Sequence, residues 1–285
     1  MLSFNDPRLV LPEGGQGVRL QVNAGVAALR KSPEPDATQV SQVLHGETVH
    51  LHHEAGEFGL VQCAQDRYVG WVLMAALSAP VLAATHRVLV SRLHTYAEPK
   101  ITAAPHFVLG IGARLSATGA QDGRYLQFER AGWVPDHLVA PIDTLESDPV
   151  AVAERFLGTP YLWGGRDCLG WDCSGLVQIA FGACGVAAPR DSDMQQAWLG
   201  DPIADWQTPG ALRRGDLIFW KGHVGLLAGP DTLLHANGTY MTTMTEPLAP
   251  AIERIATEYG EPLEARRVDI SALSGVRPAW LKAKG

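Results

Sequence analysis

The sequence has few cysteines, no long apolar run and no cluster of basic residues, and each absence excludes a class of protein. Four cysteines among 285 residues are too few for a disulfide-stapled scaffold and fit a reducing compartment. No run approaches the roughly 18 apolar residues that a membrane-spanning helix needs. With a formal net charge of −7 and a pI near 5.8, the chain is not expected to bind nucleic acid or an anionic membrane.

The first residues, Met1-Leu-Ser-Phe-Asn-Asp-Pro-Arg8, contain neither the basic nor the apolar segment of a signal peptide. We therefore expect a cytoplasmic protein, and a secreted one only if the true start lies upstream. The length favours two or three small domains over one large domain.

The first half of the chain contains an internal repeat. Leu29 and Trp71 of the first copy recur as Leu93 and Trp133 at nearly the same spacing, each Trp preceded by Gly and followed by Val. The segments are short and alternating, and the breaks between them carry Gly, Pro, Asp and Glu, which is typical of small β-barrels. The repeat therefore predicts a duplicated all-β module.

The linker around residues 141–149 leads into a predicted helix, which Asp148 caps and Pro149 begins. The predicted organisation is an N-terminal arm (residues 1–21), two all-β domains (22–80 and 81–144) and a last domain (145–285).

Cys173 has the sequence context of a reactive thiol. It follows Asp172, a residue type favoured at the N-cap, and the apolar run after it ends at Gly185, which suits the C′ position. A thiol in the first turn of a helix lies at the positive end of the helix dipole, which favours the nucleophilic thiolate. We predict that Cys173 is a nucleophile and that its backbone N–H is an oxyanion donor; the second donor cannot be read from the sequence.

Two histidines in apolar, strand-like segments can supply the base. Gly229-Pro-Asp predicts a turn between the segment of His223 and that of His235. In such a hairpin, the even separation of the two histidines allows both side chains to point to the same face. We predict that His223 accepts the Cys173 proton and later donates it to the leaving amine, while His235 orients the His223 ring.

The other three cysteines, Cys63, Cys168 and Cys184, are expected to be structural, since free cysteine behaves as a small hydrophobe. Cys168 and Cys173 are close enough in sequence for a metal pair or a disulfide. However, no second Cys-x-x-Cys follows, and the histidines lack the spacing of a zinc site. No metal or other cofactor is implied, and the role of Trp171 cannot be read from the sequence.

Six motifs within residues 158–238 carry a family resemblance: Tyr-Leu-Trp-Gly-Gly, Asp-Cys-Ser-Gly-Leu, Pro-Arg-Asp-Ser, Arg-Gly-Asp-Leu-Ile-Phe, Gly-His-Val-Gly and Leu-His-Ala. As a set they closely resemble the NlpC family of papain-like cysteine peptidases, and the repeats of the first half resemble bacterial SH3-like domains. The resemblance implies two SH3-like barrels followed by an α+β papain-like domain with helices packed on an antiparallel sheet. It also implies a Cys173, His223 and His235 triad that cuts the γ-D-glutamyl bond to meso-diaminopimelate or lysine in peptidoglycan peptides.

Two SH3-like domains before such a domain resemble the γ-D-glutamyl-L-diamino acid endopeptidases of cell-wall recycling, which implies short murein peptides with a free N-terminal L-Ala as substrates. Carried over, Asp191 and Ser192 would bind the substrate ammonium and the backbone beside it. A carboxylate is the expected partner for a buried ammonium, although Asp191 could equally be an N-cap. The other implied substrate contacts are Tyr161 and Trp163 lining the cleft, Asp172 and Ser174 flanking the nucleophile, and Tyr68 from the first SH3-like domain.

Two other functions stay open at this stage. The protein could be a secreted hydrolase acting on intact peptidoglycan, or a wall-peptide binding module with an inert catalytic half. The complete set of one cysteine and two histidines favours an enzyme. The preference for diaminopimelate or lysine, the permitted stem length and the oligomeric state cannot be read from the sequence.

Overall fold

The structure is a computed structural model that describes residues 2–11 and 17–282. These residues form two compact units, one of residues 5–144 and one of residues 145–282 with residues 2–4. Within the described ranges, no helix combines the length and the apolarity needed to cross a bilayer. Part of the predicted N-terminal arm, residues 12–16 and Met1, lies outside the described residues.

Seven strands in residues 18–78 form one antiparallel sheet. They are β1 (Val18–Val22), β2 (Val26–Arg30), β3 (Gln39–Leu44), β4 (Thr48–Ala55), β5 (Phe58–Cys63), β6 (Val69–Leu73) and β7 (Leu77–Ser78), in the order β3-β2-β6-β5-β4-β1-β7. Apolar residues that alternate along the strands, such as Leu29, Val49 and Val61, are buried. The sheet begins at Val18, before the predicted boundary at residue 22, because β1 pairs with both β4 and β7.

The next eight strands divide into a five-stranded and a three-stranded sheet. They are β8 (His86–Val88), β9 (Arg92–Tyr96), β10 (Pro105–Gly110), β11 (Arg114–Leu115), β12 (Ala117–Asp122), β13 (Tyr125–Phe128), β14 (Gly132–Pro135) and β15 (Val139–Pro141). The order β10-β9-β14-β13-β12 repeats the order β3-β2-β6-β5-β4 of the first sheet. Trp71 pairs with Arg30 of β2, and Trp133 pairs with Tyr96 of β9, so the repeated tryptophans occupy corresponding strands.

The second unit combines helices with a six-stranded antiparallel sheet. Its helices are α1 (Pro149–Glu154), α2 (Cys173–Ala183), α3 (Ser192–Trp198), α4 (Leu248–Tyr259), α5 (Ile270–Leu273) and α6 (Ala279–Lys282). Its strands are β16 (Arg166–Asp167), β17 (Gly170–Trp171), β18 (Asp201–Pro202), β19 (Leu217–Trp220), β20 (His223–Gly229), β21 (Thr232–Asn237), β22 (Thr242–Pro247) and β23 (Glu264–Arg267). The sheet order is β18-β23-β19-β20-β21-β22, while β16 and β17 form a separate hairpin.

The predicted helix caps are present. Asp148 accepts a 2.8 Å hydrogen bond from the Val150 N–H at the start of α1. Asp172 accepts one of 2.7 Å from the Gly175 N–H at the start of α2. After α2 the chain turns at Gly185, whose φ of 80° is the left-handed conformation that glycine adopts without a steric penalty.

The central strands of this sheet are almost entirely buried. On one face, Leu227 and Leu233 pack with Leu248, Ala251 and Ile255 of α4. Helix α2 contacts β20 and β21, so the start of α2 is held against the two strands that carry the histidines.

Candidate active site

Cys173 is the first residue of α2, and its side chain is buried, with 7% of the residue exposed. Its thiol lies within hydrogen-bonding reach of the Val224 backbone N–H, a contact that lowers the thiol pKa. Val224 directly follows His223 on β20. The structure therefore places the predicted nucleophile against the start of the strand that carries the predicted base.

His223 and His235 are hydrogen-bonded to each other, with 2.8 Å between His223 Nε2 and His235 Nδ1. A β-bulge makes this possible, because Ala228 is an extra residue on β20 between the Leu227–Leu233 and Gly229–Thr232 pairs. Without the extra residue, the register would shift by one and the two histidines would point to opposite faces. The sequence predicted the shared face but not the bulge on which it depends.

Three residues that the sequence analysis missed surround His235. Its Nε2 lies 2.7 Å from Glu246 Oε1 and 3.1 Å from Asn237 Nδ2. Glu246 is also bound by Arg254, which reaches it from α4. Glu246 pairs with Leu233 in the β21–β22 ladder, so it shares a face with His235. Period-two alternation along β21 and β22 was the signal that could have found Glu246 and Asn237.

The Asp172 carboxylate is hydrogen-bonded to other groups of the protein. Its carboxylate accepts hydrogen bonds from the Gly164 and Gly175 N–H groups and from both terminal nitrogens of Arg190, the shortest at 2.6 Å. The Ser174 hydroxyl also lies between Asp172 and Arg190. These donors use the acceptor capacity of the carboxylate. The Asp172 and Ser174 side chains therefore hold the start of α2, and their role as substrate contacts stays a prediction.

Burial sets the protonation states of the nucleophile and base in the free protein. Burial is the largest of the effects that together raise the pKa of the Cys173 thiol to about 12; the Asp172 carboxylate also raises it, and Val224 and Arg190 oppose the rise by smaller amounts. Burial also lowers the pKa of His223 to about 3, helped by the charges of His235 and Arg254. Both shifts favour a neutral thiol and a neutral imidazole in the free protein. They oppose the predicted resting thiolate, because lost hydration outweighs the field of one helix terminus.

Aromatic side chains lie around the two histidines and the thiol. The Tyr259 ring stacks on His223 at 6.0 Å between centroids, and Trp220 lies 5.7 Å from His223 on its own hairpin. Burial raises the pKa of the half-buried Tyr161, and its next largest cause is the charge of Cys173, which places the phenol close to the nucleophile. Trp163, which follows Tyr161 closely in the sequence, is 63% exposed. Tyr259 is a further residue that the sequence analysis missed.

The remaining predicted contacts lie at the start of α3 and in the first β-sheet. Asp191 is the N-cap residue of α3, but its side chain makes no capping hydrogen bond, and Ser192 begins the helix. Tyr68 is buried in the tight turn between β5 and β6, where Asp66 accepts a hydrogen bond from its N–H. The substrate roles of Asp191, Ser192, Tyr161, Trp163 and Tyr68 stay predictions.

The four cysteines, all of which lie in the described residues, are not joined in disulfide bonds. Within residues 2–11 and 17–282, no group of three or more His, Cys, Asp and Glu side chains is placed to hold a metal ion. The groups at this site that can do chemistry include the Cys173 thiol, the two imidazoles and the Glu246 carboxylate.

Comparison with protein families gives two matches along the chain. Residues 158–256, which contain Cys173 and both histidines, match the NlpC/P60 family. This part of the chain is an NlpC/P60 domain. Residues 29–77 match the bacterial dipeptidyl-peptidase Sh3 domain, so an SH3-like domain precedes the NlpC/P60 domain.

Two curated relatives each match about a third of the chain. A γ-D-glutamyl-L-lysine dipeptidyl-peptidase of Bacillus subtilis is 40% identical over 101 residues, which cover 32% of this chain and 32% of the relative. Dipeptidyl-peptidase 6 of Lysinibacillus sphaericus is 40% identical over 88 residues, 31% of each chain. The chain thus spans about a third of the length of these relatives.

A solved structure of an NlpC/P60 family protein from Bacillus cereus matches over most of the chain. It covers 88% of this chain and 99% of its own, with a TM-score of 0.73 and 21% identity. This similarity establishes a shared fold over most of the chain.

Proposed function

We propose that this protein is a cysteine endopeptidase that hydrolyses the γ-D-glutamyl-L-diamino acid bond of short murein peptides with a free N-terminal L-Ala. The observation that carries the proposal is a helix-start cysteine in an NlpC/P60 domain whose thiol contacts the backbone of Val224, directly after His223, while His223 is hydrogen-bonded to His235. The names of two relatives, a γ-D-glutamyl-L-lysine dipeptidyl-peptidase and a dipeptidyl-peptidase, support the choice of bond.

The proposed reaction uses His223 as both base and acid. Because its Nε2 is bonded to His235, Nδ1 is the ring nitrogen left for the Cys173 thiol. The thiol and imidazole are neutral at rest, so the proton moves to Nδ1 as Sγ attacks the carbonyl carbon. The protonated ring then donates to the leaving amine of the diamino acid. Water, activated by the same ring, hydrolyses the thioester and releases L-Ala-γ-D-Glu.

The oxyanion formed by the attack needs a donor at the start of α2. The Cys173 backbone N–H belongs to the first turn, whose N–H groups have no partner in the helix's own ladder. It can therefore donate to the developing oxyanion, and one such donor contributes about 3 kcal/mol to lowering the barrier.

We further propose that Asp191 selects the free amine of the substrate. Asp191 is the N-cap residue of α3, and a site in which a carboxylate binds an ammonium strongly disfavours an acylated amine. Ser192 would bind the neighbouring backbone, and Tyr161, Trp163 and Tyr68 would contact the peptide.

The proposal also covers residues 81–144 and the cellular role. Residues 81–144 would form a second SH3-like domain, since their five-stranded sheet has the strand order of the first. The cellular role that we propose is cell-wall recycling in the cytoplasm, and four cysteines among 285 residues fit a reducing compartment.

The test is hydrolysis of L-Ala-γ-D-Glu-meso-diaminopimelate and its lysine counterpart, followed by mass spectrometry. Cys173→Ala should abolish release of L-Ala-γ-D-Glu, whereas Cys184→Ala, which removes a thiol from the end of the same helix, should retain it. N-acetylation of the substrate or Asp191→Asn should lower turnover at least about a hundredfold. Equal cleavage of acetylated peptide would refute the free-amine proposal, and solubilisation of intact sacculi would favour a wall hydrolase instead. Binding without turnover would favour the inert module.

A further inference from the structure

Glu246 lies on the far side of His235 from the base. His235 uses Nδ1 toward His223 and Nε2 toward Glu246, so the three side chains form one continuous line of hydrogen bonds. The Glu246 side chain is only 12% exposed, and Arg254 holds the same carboxylate oxygen that His235 contacts. This oxygen is therefore fixed behind the histidine pair.

The directions of these hydrogen bonds determine which ring nitrogens carry protons. The bonds from His235 and Arg254 lower the pKa of Glu246, so its oxygen only accepts. His235 Nε2 must then donate, and in a singly protonated ring this leaves Nδ1 unprotonated. Nδ1 in turn accepts from His223 Nε2–H, and this leaves His223 Nδ1 with a free lone pair.

The Asn237 side chain favours the opposite tautomer of His235. Its Oδ1 accepts a 2.9 Å hydrogen bond from the Tyr240 N–H, which fixes the amide so that Nδ2 points at His235 Nε2. An amide N–H can only donate, so it favours an unprotonated Nε2 and hence the reversed tautomer of both rings. In the reversed state His223 would carry its proton on Nδ1 and could not accept another from Cys173.

We propose that Glu246, held by Arg254, is a positioning residue that selects the productive tautomer of both histidines against the opposing donor Asn237. The carboxylate prevails because it is charged and lies closer to His235 Nε2 than the amide does, 2.7 Å against 3.1 Å. The consequence for turnover rests on the proposed function, but the tautomers themselves can be measured without any substrate.

The experiment compares four forms of the full chain: wild type, Glu246→Ala, Glu246→Gln, and the double variant Glu246→Ala/Asn237→Asp, which moves the carboxylate to the other side of His235. Exposed Glu253→Ala, on the same helix as Arg254, is the matched control. Long-range ¹H–¹⁵N correlation spectra identify the protonated nitrogen of each histidine, and kcat and KM are measured with the murein tripeptide.

Wild type and Glu253→Ala should carry protons on Nε2 of both rings. Glu246→Ala should move them to Nδ1 and lower kcat at least about a hundredfold with little change in KM, since a wrong tautomer costs up to about 10⁴-fold. Glu246→Gln, whose amide oxygen still accepts a hydrogen bond from His235, should keep the wild-type tautomers and show a smaller decrease in kcat than Glu246→Ala. The double variant should restore Nε2 protonation and regain at least about tenfold in kcat.

Protons on Nδ1 in the wild type, or unchanged tautomers in a folded Glu246→Ala variant, would overturn the assignment. Failure of the relocated carboxylate to restore Nε2 protonation would do so as well, and the double variant also covers the case in which Glu246→Ala does not fold. If the tautomers respond as expected but the wild type cleaves no murein peptide, the proposed function fails and the role of Glu246 stands.

Discussion

Loss of the Arg190 guanidinium should strongly destabilise the start of α2. Its Nη2 lies 2.6 Å from Asp172 Oδ2, and the two side chains are 1% and 10% exposed. Removing one partner of a buried ion pair leaves an uncompensated charge and costs about 3–5 kcal/mol. We therefore expect Arg190→Met, which keeps an apolar stem of similar length, to raise the population of the opened helix roughly 10²- to 10⁴-fold.

Cys184 provides a local assay for this opening, because it is buried at the C-cap of α2. Its rate of alkylation, followed by peptide-resolved mass spectrometry, reports the opening of this helix independently of the other unit. The matched control is Arg155→Met, since Arg155 pairs with Glu146 at 2.8 Å while the two side chains are 36% and 27% exposed. Such an exposed pair contributes about 0–1 kcal/mol. If Cys184 reacts no faster in Arg190→Met than in Arg155→Met, the reasoning is refuted.

Two further predictions concern the base and the end of α2. Because burial lowers the pKa of His223 to about 3, its ring should stay neutral from pH 8 to pH 5. In the unfolded chain the His223 ring takes up a proton near pH 6.5, so this residue lowers the stability of the folded protein as the pH falls below 6.5. An NMR titration midpoint near 6.5 for His223 in the folded protein would contradict this. Gly185→Ala should destabilise more than Gly158→Ala in the Cys184 alkylation assay. Both residues have φ near 80°, a strain of about 1–2 kcal/mol for alanine, but only at Gly185 would the new Cβ meet other atoms, with Ser274 Oγ 2.5 Å away. Equal effects of the two substitutions would rule out that steric cost.

Local sequence signals predicted the parts of the site that depend on neighbouring residues. The caps at Asp148 and Asp172 and the turn at Gly185 follow from the preferences of single positions, and the structure contains all three. The pairing of His223 with His235 was predicted from their even separation and from a turn signal between them, and it too is present.

Features that depend on register or on distant residues could not be predicted in this way. The bulge at Ala228 determines which residues share a face of the sheet, and no local sequence pattern predicted it. Arg190 reaches Asp172 across a loop, and Glu246 reaches His235 from the next strand, so both contacts appear only once the chain is folded. The thiol pKa was mispredicted for a related reason, since burial is a property of the packed domain.

The most direct test of the account is to trap the acyl-enzyme. The protein would be mixed with L-Ala-γ-D-Glu-p-nitroanilide, quenched in acid within the first turnover, and digested for mass spectrometry. We expect an L-Ala-γ-D-Glu adduct on the peptide that contains Cys173, and no adduct in Cys173→Ala or His223→Ala. Hydrolysis that persists in Cys173→Ala, or an adduct on any other residue, would contradict the assignment of Cys173 as the nucleophile.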